Sequence, residues 1–236
     1  MMLRALITAI VEYALAFYVY KKGKYQKNVF FWVLFFLASY QLGEYMITLF
    51  PSLNIGIRFA YFSTTMLPPL GLLFLQKHTN RELGYKFVQA VGLVFAILFL
   101  VNPSVIGSYQ ISSTGQCIQM SYVEGYIIDS WMFYYQGTLL FSMGVSLFEI
   151  IRNKKKVNME ANKYYKILKQ FFIAYVSFDI VALVISKIDP QFSPRVASLM
   201  CALAVFASFI FTNIAFDLKF LPDLKKKLML RLKIGK

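Results

Sequence analysis

Residues 39–46 read SYQLGEYM and lie inside the apolar run VFFWVLFFLASYQLGEYMITLF, residues 29–50. Gln41 and Glu44 stand there among aromatic and aliphatic neighbours. In water such a run is a helix with a polar stripe. In a bilayer it holds an acid in hydrocarbon, which is costly enough to mark a purpose. The solvent in which the chain lives therefore decides the fold.

Hydrophobic residues make up 58% of the 236, aromatic residues 18% and charged residues 15%, and mean hydropathy is +0.58. Soluble domains carry about 25% charged residues, so composition points to an integral, multi-pass protein of the cell membrane. A membrane helix needs roughly 17 to 25 apolar residues. Seven runs fit: about 3–20, 29–50, 55–76, 86–102, 127–151, 167–188 and 195–216. The expectation is an all-α bundle of seven transmembrane helices over residues 1–216, followed by a tail, 217–236. The first run lacks a small-residue cleavage site and leads straight into KKGKYQK, so it reads as a retained span.

Lys and Arg fix topology by collecting at cytoplasmic ends. Of the 25, 21 fall in KKGKYQK, KHTNRELGYK, residues 152–169 and the tail; only Arg4, Arg58, Lys187 and Arg195 fall on the other side. The amino terminus is thus expected outside and the carboxyl terminus in the cytoplasm. The same asymmetry accounts for the net charge of +14 without a nucleic-acid partner. Cys117 lies in an outer loop and Cys201 within the seventh span, so they read as separate free thiols. With His78 as the single histidine, no Cys/His metal cluster can be assembled, and no cofactor is expected.

Three features break the apolar pattern. Residues 103–126 carry no Lys or Arg, and SYQISS and QCIQMSY flank Ser113-Thr114-Gly115, which reads as a small outer hairpin or an irregular loop. Pro68 and Pro69 fall in mid-span and predict a kink or hinge, with Ser63, Thr64 and Thr65 placed to satisfy freed carbonyls. In the tail, Leu221, Leu224, Leu228 and Leu232 recur at helical spacing among Lys225, Lys226, Lys227, Arg231 and Lys233. Such a basic amphipathic helix suits an anionic inner leaflet.

The stretch SYQLGEYMITLFPSLNIGIRFAYFSTTMLPPLGLLFLQKHTNR resembles the second and third helices of the seven-helix amino-terminal sensor region of bacterial histidine kinases. Gly43, Glu44, Arg58, Tyr61, Pro68 and Phe74 fill that pattern, and AFDLKFLPDL resembles the exit toward a PAS or kinase domain. The resemblance implies a sensor module whose signal passes to a separate protein partner, since no kinase domain follows in this sequence.

Two groups of site residues stand out. Glu44 and Arg58, joined by the short PSLN connection, are expected to form an ion pair that either locks two helices or faces a ligand. With Gln41, Tyr61, Asp129, Trp131, Tyr134 and Tyr135 they would line an outer cavity floored near the double proline. Glu12 and Asp179 fall near the midplane with no Lys or Arg at that depth, and read as buried neutral acids or as a proton or cation path. The last span, RVASLMCALAVFASFIFTNIAF, has no lysine for a retinal Schiff base, and no nucleophile–base–orienter set is visible, so neither a rhodopsin nor an enzyme is expected. The leading expectation is a receptor-like module binding a small molecule, lipid or peptide from the outer face. The alternatives are a small transporter or channel subunit using Glu12 and Asp179, and a non-catalytic subunit of a larger membrane complex.

Overall fold

The computed structural model describes residues 2–50, 54–102, 110–111, 118–119, 126–153, 159–188 and 193–222. The fold is all-α. Its helices are α1 (Met2–Lys22), α2 (Lys27–Leu49), α3 (Ile55–Thr65), α4 (Leu67–Thr79), α5 (Tyr85–Val101), α6 (Tyr126–Asn153), α7 (Met159–Ile188) and α8 (Ser193–Ala215). Each expected apolar run lies on helix, with the third run divided into α3 and α4. The basic tail residues Lys225, Lys226, Lys227 and Arg231, together with Cys117, lie outside the described residues, as do the side chains of Asp179 and Cys201.

The break at Met66 follows from Pro68 and Pro69, which cannot donate to the carbonyls of Thr64 and Thr65 one turn back. The neighbouring hydroxyls serve earlier carbonyls instead: Ser63 Oγ donates to Phe59 O at 2.8 Å, Thr64 Oγ1 to Ala60 O at 2.7 Å and Thr65 Oγ1 to Tyr61 O at 2.6 Å. The Thr65 carbonyl is met from another helix, by the Tyr134 hydroxyl of α6 at 3.2 Å.

In the loop before α6, β1 (Gln110–Ile111) pairs antiparallel with β2 (Ile118–Gln119), matching Gln110 with Gln119 and Ile111 with Ile118. This is the hairpin expected around residues 113–115, and β2 lies against α8.

The helices α2 and α3 meet backbone to backbone. A Cβ on Gly56 would fall 2.6 Å from Ile47 N and 2.7 Å from Gly43 O; one on Gly43 would fall 2.8 Å from Gly56 O. At the opposite end, the turn between α1 and α2 is tied to α8, where Lys24 N and Tyr25 N donate to Ala215 O at 2.8 and 3.0 Å. The ion pair Lys163–Asp217 (2.6 Å) joins α7 to the turn after α8.

Beside its apolar core the bundle buries many polar residues and exposes many large apolar ones. Glu12, Ser39, Gln41, Glu44, Ser63, Ser142, Ser146, Ser208, Thr212 and Asn213 are buried. Phe17, Trp32, Phe87, Val94, Ile97, Phe133, Phe141, Phe148 and Ile151 are exposed. By length and composition one helix among the described residues, Lys27–Ile47, is apolar enough to cross a membrane, and Tyr85–Val101 and Leu203–Ala215 are shorter apolar helices.

Candidate functional site

Four of the expected site residues come together around the α3–α4 break. Tyr61 of α3 packs its ring 5.0 Å from Trp131 and 4.7 Å from Phe99, and Trp131 stacks on Tyr135 at 5.2 Å. Trp131 Nε1 donates to Thr65 Oγ1 at 2.8 Å, so the indole and the Tyr134 hydroxyl hold the two oxygens of one residue. Aromatic pairs of this geometry contribute about 0.5–1.5 kcal/mol each beyond their burial. The layer they form is packed, not open.

The open space lies one level deeper. A small apolar cavity, with about 40 Å³ open to the centre of a water-sized sphere, is lined by Leu37, Leu67, Tyr135, Leu139, Tyr175 and Phe211 among others. It sits between α2, α4, α6, α7 and α8 at the break itself, inward of the aromatic layer. Sequence reasoning placed the cavity above the double proline; the rings of Tyr61, Phe99 and Trp131 occupy that position.

The remaining expected residues divide. Glu44 and Arg58 form no ion pair: Glu44 Oε1 accepts the Tyr40 hydroxyl at 2.5 Å, and Arg58 Nε donates to Phe99 O at 3.1 Å. The cause is azimuth. Gly56 and Ala60 face α2, and at 100° per residue Arg58, midway between them, points to the far side of α3, toward α5. Asp129 is exposed, whereas Trp131 and Tyr135 are buried on the other face of α6. Gln41 is fully buried, and neither its amide oxygen nor its nitrogen meets a partner among the described residues. Glu12 is fully buried and accepts a hydrogen bond from Ser208 of α8 at 3.0 Å. Tyr13 and Ser39 share a hydrogen bond between hydroxyls at 2.9 Å, and Ser177 Oγ donates to Ala174 O at 2.9 Å.

Two features escaped the sequence. The first is an aromatic column from the cavity to the end of the bundle that holds His78 and Tyr164. Tyr175 stacks on Phe171 (4.4 Å), Phe171 on Phe74 (4.5 Å), Phe74 on His78 (5.4 Å) and His78 on Tyr164 (4.1 Å). The Tyr175 hydroxyl lies so close to Gly71 that a Cβ there would fall 1.6 Å from it. The second is Glu149, buried on α6, which pairs with Arg81 at 2.8 Å and accepts from Asn153 Nδ2 at 3.0 Å. The spacing of 74, 78 and of 164, 171, 175 marks helical faces, and nothing local indicates that those faces oppose each other.

His78 Nδ1 contacts the Tyr25 hydroxyl, and Nε2 lies 3.4 Å from Tyr164 O. These partners assign the neutral Nε2–H tautomer. Burial holds the imidazole down at about 4, against the upward pull of the Tyr164 carbonyl. Burial also pushes the Tyr164 phenol up to about 12. Between pH 6.5 and 4 the unfolded chain therefore takes up a proton that folded His78 refuses. Thermal stability should fall as pH drops through that window, by at most about 1.4 kcal/mol per unit. His78→Asn should flatten the profile; an unchanged slope would remove His78 as its source.

The chain matches no family model, no curated protein and no solved structure.

Proposed function

We propose that this chain is a seven-span membrane bundle, amino terminus outside and carboxyl terminus cytoplasmic, serving as a receptor-like sensor for a small apolar or lipid-like molecule. Its signal passes to a separate partner, as the resemblance to histidine-kinase sensor regions implies. The membrane part of the reading is supported by large apolar side chains facing outward over polar ones facing inward, an arrangement suited to lipid and unsuited to water. A reporter fused after Lys236 should be cytoplasmic and one inserted at Ser113 extracellular. The reverse pattern would end the orientation.

The observation that carries the sensor reading is the cavity. It lies against the α3–α4 break, and Tyr175 in its wall begins the aromatic column that ends at His78 and Tyr164 beside the basic inner loops. An occupant touching Leu67 and Tyr175 bears on both the hinge and the column, as a switching element requires. Ala207, buried in the cavity wall, offers the test. Native mass spectrometry of protein extracted from membranes should find a bound apolar molecule in the wild type and lose it in Ala207→Phe. Equal occupancy in the two would sink the assignment.

A second reading, a transporter or channel subunit working through Glu12 and Asp179, has one observation in its favour: Glu12 is fully buried with one oxygen bonded to Ser208 and the other without a partner among the described residues. Ion flux into proteoliposomes discriminates between the two.

A further inference from the structure

Glu149 is buried near the end of α6, and two arginines converge on it. Arg81, from the turn between α4 and α5, brings Nη2 to within 2.8 Å of Glu149 Oε1. Arg152, one turn further along α6, brings Nη1 to 3.7 Å of the same oxygen. The other oxygen, Oε2, accepts from Asn153 Nδ2 at 3.0 Å. Sharing one oxygen limits the spacing of the two guanidinium groups. Laid end to end, the two distances put these nitrogens no more than about 6.5 Å apart.

Both arginines stay open to their surroundings. Their side chains are 40% and 56% exposed, and among the described residues Glu149 is the one acceptor that either meets. Glu82, next to Arg81 in sequence, forms no ion pair with them among the described residues. One carboxylate neutralises one of the two charges, and a guanidinium carries five N–H donors, so charge and donors are left for another partner. The neighbouring side chains are apolar. Arg81 lies over the ring of Phe148, 5.6 Å from guanidinium carbon to centroid, and Phe148 is itself exposed. Four residues on, Arg152 returns to the face of α6 that carries Phe148, and exposed Ile151 flanks it.

We propose that Arg81 and Arg152 bind the phosphate of an anionic phospholipid, whose glycerol and acyl chains lie along Phe148 and Ile151. The inference rests on the membrane reading above, which places this end at the anionic cytoplasmic leaflet. Guanidinium groups hold phosphate oxygens at about 2.7–2.9 Å, so one phosphate with an oxygen toward each arginine spans their separation. Glu149 holds both forks in place before the lipid arrives, which lowers the ordering cost of binding. The exposed apolar side chains decide the source of the phosphate. A free phosphate ion gains nothing from Phe148 and Ile151, whereas a lipid covers them. Neither arginine lines the apolar cavity, so the site does not depend on what fills it.

The test is native mass spectrometry of the full chain in detergent, with dioleoyl phosphatidylglycerol and dioleoyl phosphatidylcholine as probes. The wild type should hold one phosphatidylglycerol about tenfold more tightly than phosphatidylcholine, whose choline offsets the phosphate charge. Arg152→Gln should weaken phosphatidylglycerol about tenfold, the loss expected for one charge-assisted hydrogen bond. Arg81→Gln is combined with Glu149→Gln so that no unpaired carboxylate is buried, and should weaken it at least as much. Lys86→Gln, an exposed base, and Ala207→Phe in the cavity wall should both leave binding intact. Glycerol 1-phosphate at the same concentration should not compete; competition would make this a free-phosphate site and overturn the lipid assignment. Equal binding of the two lipids would overturn the proposal and favour an acidic protein segment on the arginines. Selectivity that survives in the folded arginine variants would overturn it too. Insertion is read first, by retention in carbonate-washed membranes. A chain that washes off overturns the membrane reading and this site together, whereas an inserted chain without selectivity overturns the site alone.

Discussion

Gly56→Leu should separate α2 from α3 and destabilise the bundle by about 3 kcal/mol or more, read as a lowered unfolding temperature in nanodiscs. The expectation rests on what the new side chain meets. Even its Cβ would fall 2.6 Å from Ile47 N and 2.7 Å from Gly43 O, both backbone atoms that cannot rotate aside. Gly43 is held equally, with Gly56 O at 2.8 Å and Ala60 N at 2.9 Å from its notional Cβ. Small residues let membrane helices approach this closely, and dispersion between the backbones then holds them together. The contrast lies on α6, where a Cβ on Gly137 or Gly144 meets nothing within 4 Å. Gly137→Ala and Gly144→Ala should leave stability unchanged or raise it by up to about 1 kcal/mol through helix propensity. Comparable losses at all of these positions would refute the backbone contact as the special feature.

Trp131→Ala should cost about 3–5 kcal/mol, the range for removing a buried large aromatic side chain. The indole touches Tyr61, Phe99 and Tyr135 and donates to Thr65 at the break. Trp131→Phe keeps most of the ring contacts and drops the hydrogen bond, so it should cost roughly 1–3 kcal/mol. Tyr134→Phe leaves the Thr65 carbonyl, already without its proline partner, unmet as well. Combining Trp131→Phe with Tyr134→Phe should lose more than the two separately, because both hold Thr65. Strict additivity would mean the break is secured by packing alone.

Much of the fold was legible because its signals are one-dimensional. Run length and apolarity located the helices, a double proline located the break, and strand formers around Ser113-Thr114-Gly115 located the hairpin. Tyr61, Trp131, Tyr134 and Tyr135 were legible for a related reason, since large amphipathic rings in an apolar helix collect where helices meet. What resisted reading was rotation about helix axes. Arg58 sits two positions from each of Gly56 and Ala60, and that offset turned it away from Glu44; Asp129 was turned from the Trp131 face in the same way. Partners distant in sequence were equally hidden. Ser208 stands 196 positions from Glu12, and no local pattern in either helix announces the other.

One consequence follows from the uninterrupted length of α7. Its 30 residues rise about 45 Å at 1.5 Å each, against a hydrocarbon core of about 30 Å. In the membrane bundle proposed above the surplus emerges as a rigid arm at the Met159 end. Tyr175, in the cavity wall, and Lys163, on that arm, are twelve residues apart, about 18 Å along the rod. A tilt of about 5° pivoting at Tyr175 therefore sweeps Lys163 sideways by about 1.5 Å. The Lys163–Asp217 ion pair hands the sweep to the chain beyond α8. The break between α3 and α4 lies beside that pivot, where Leu67 and Tyr175 line the same cavity.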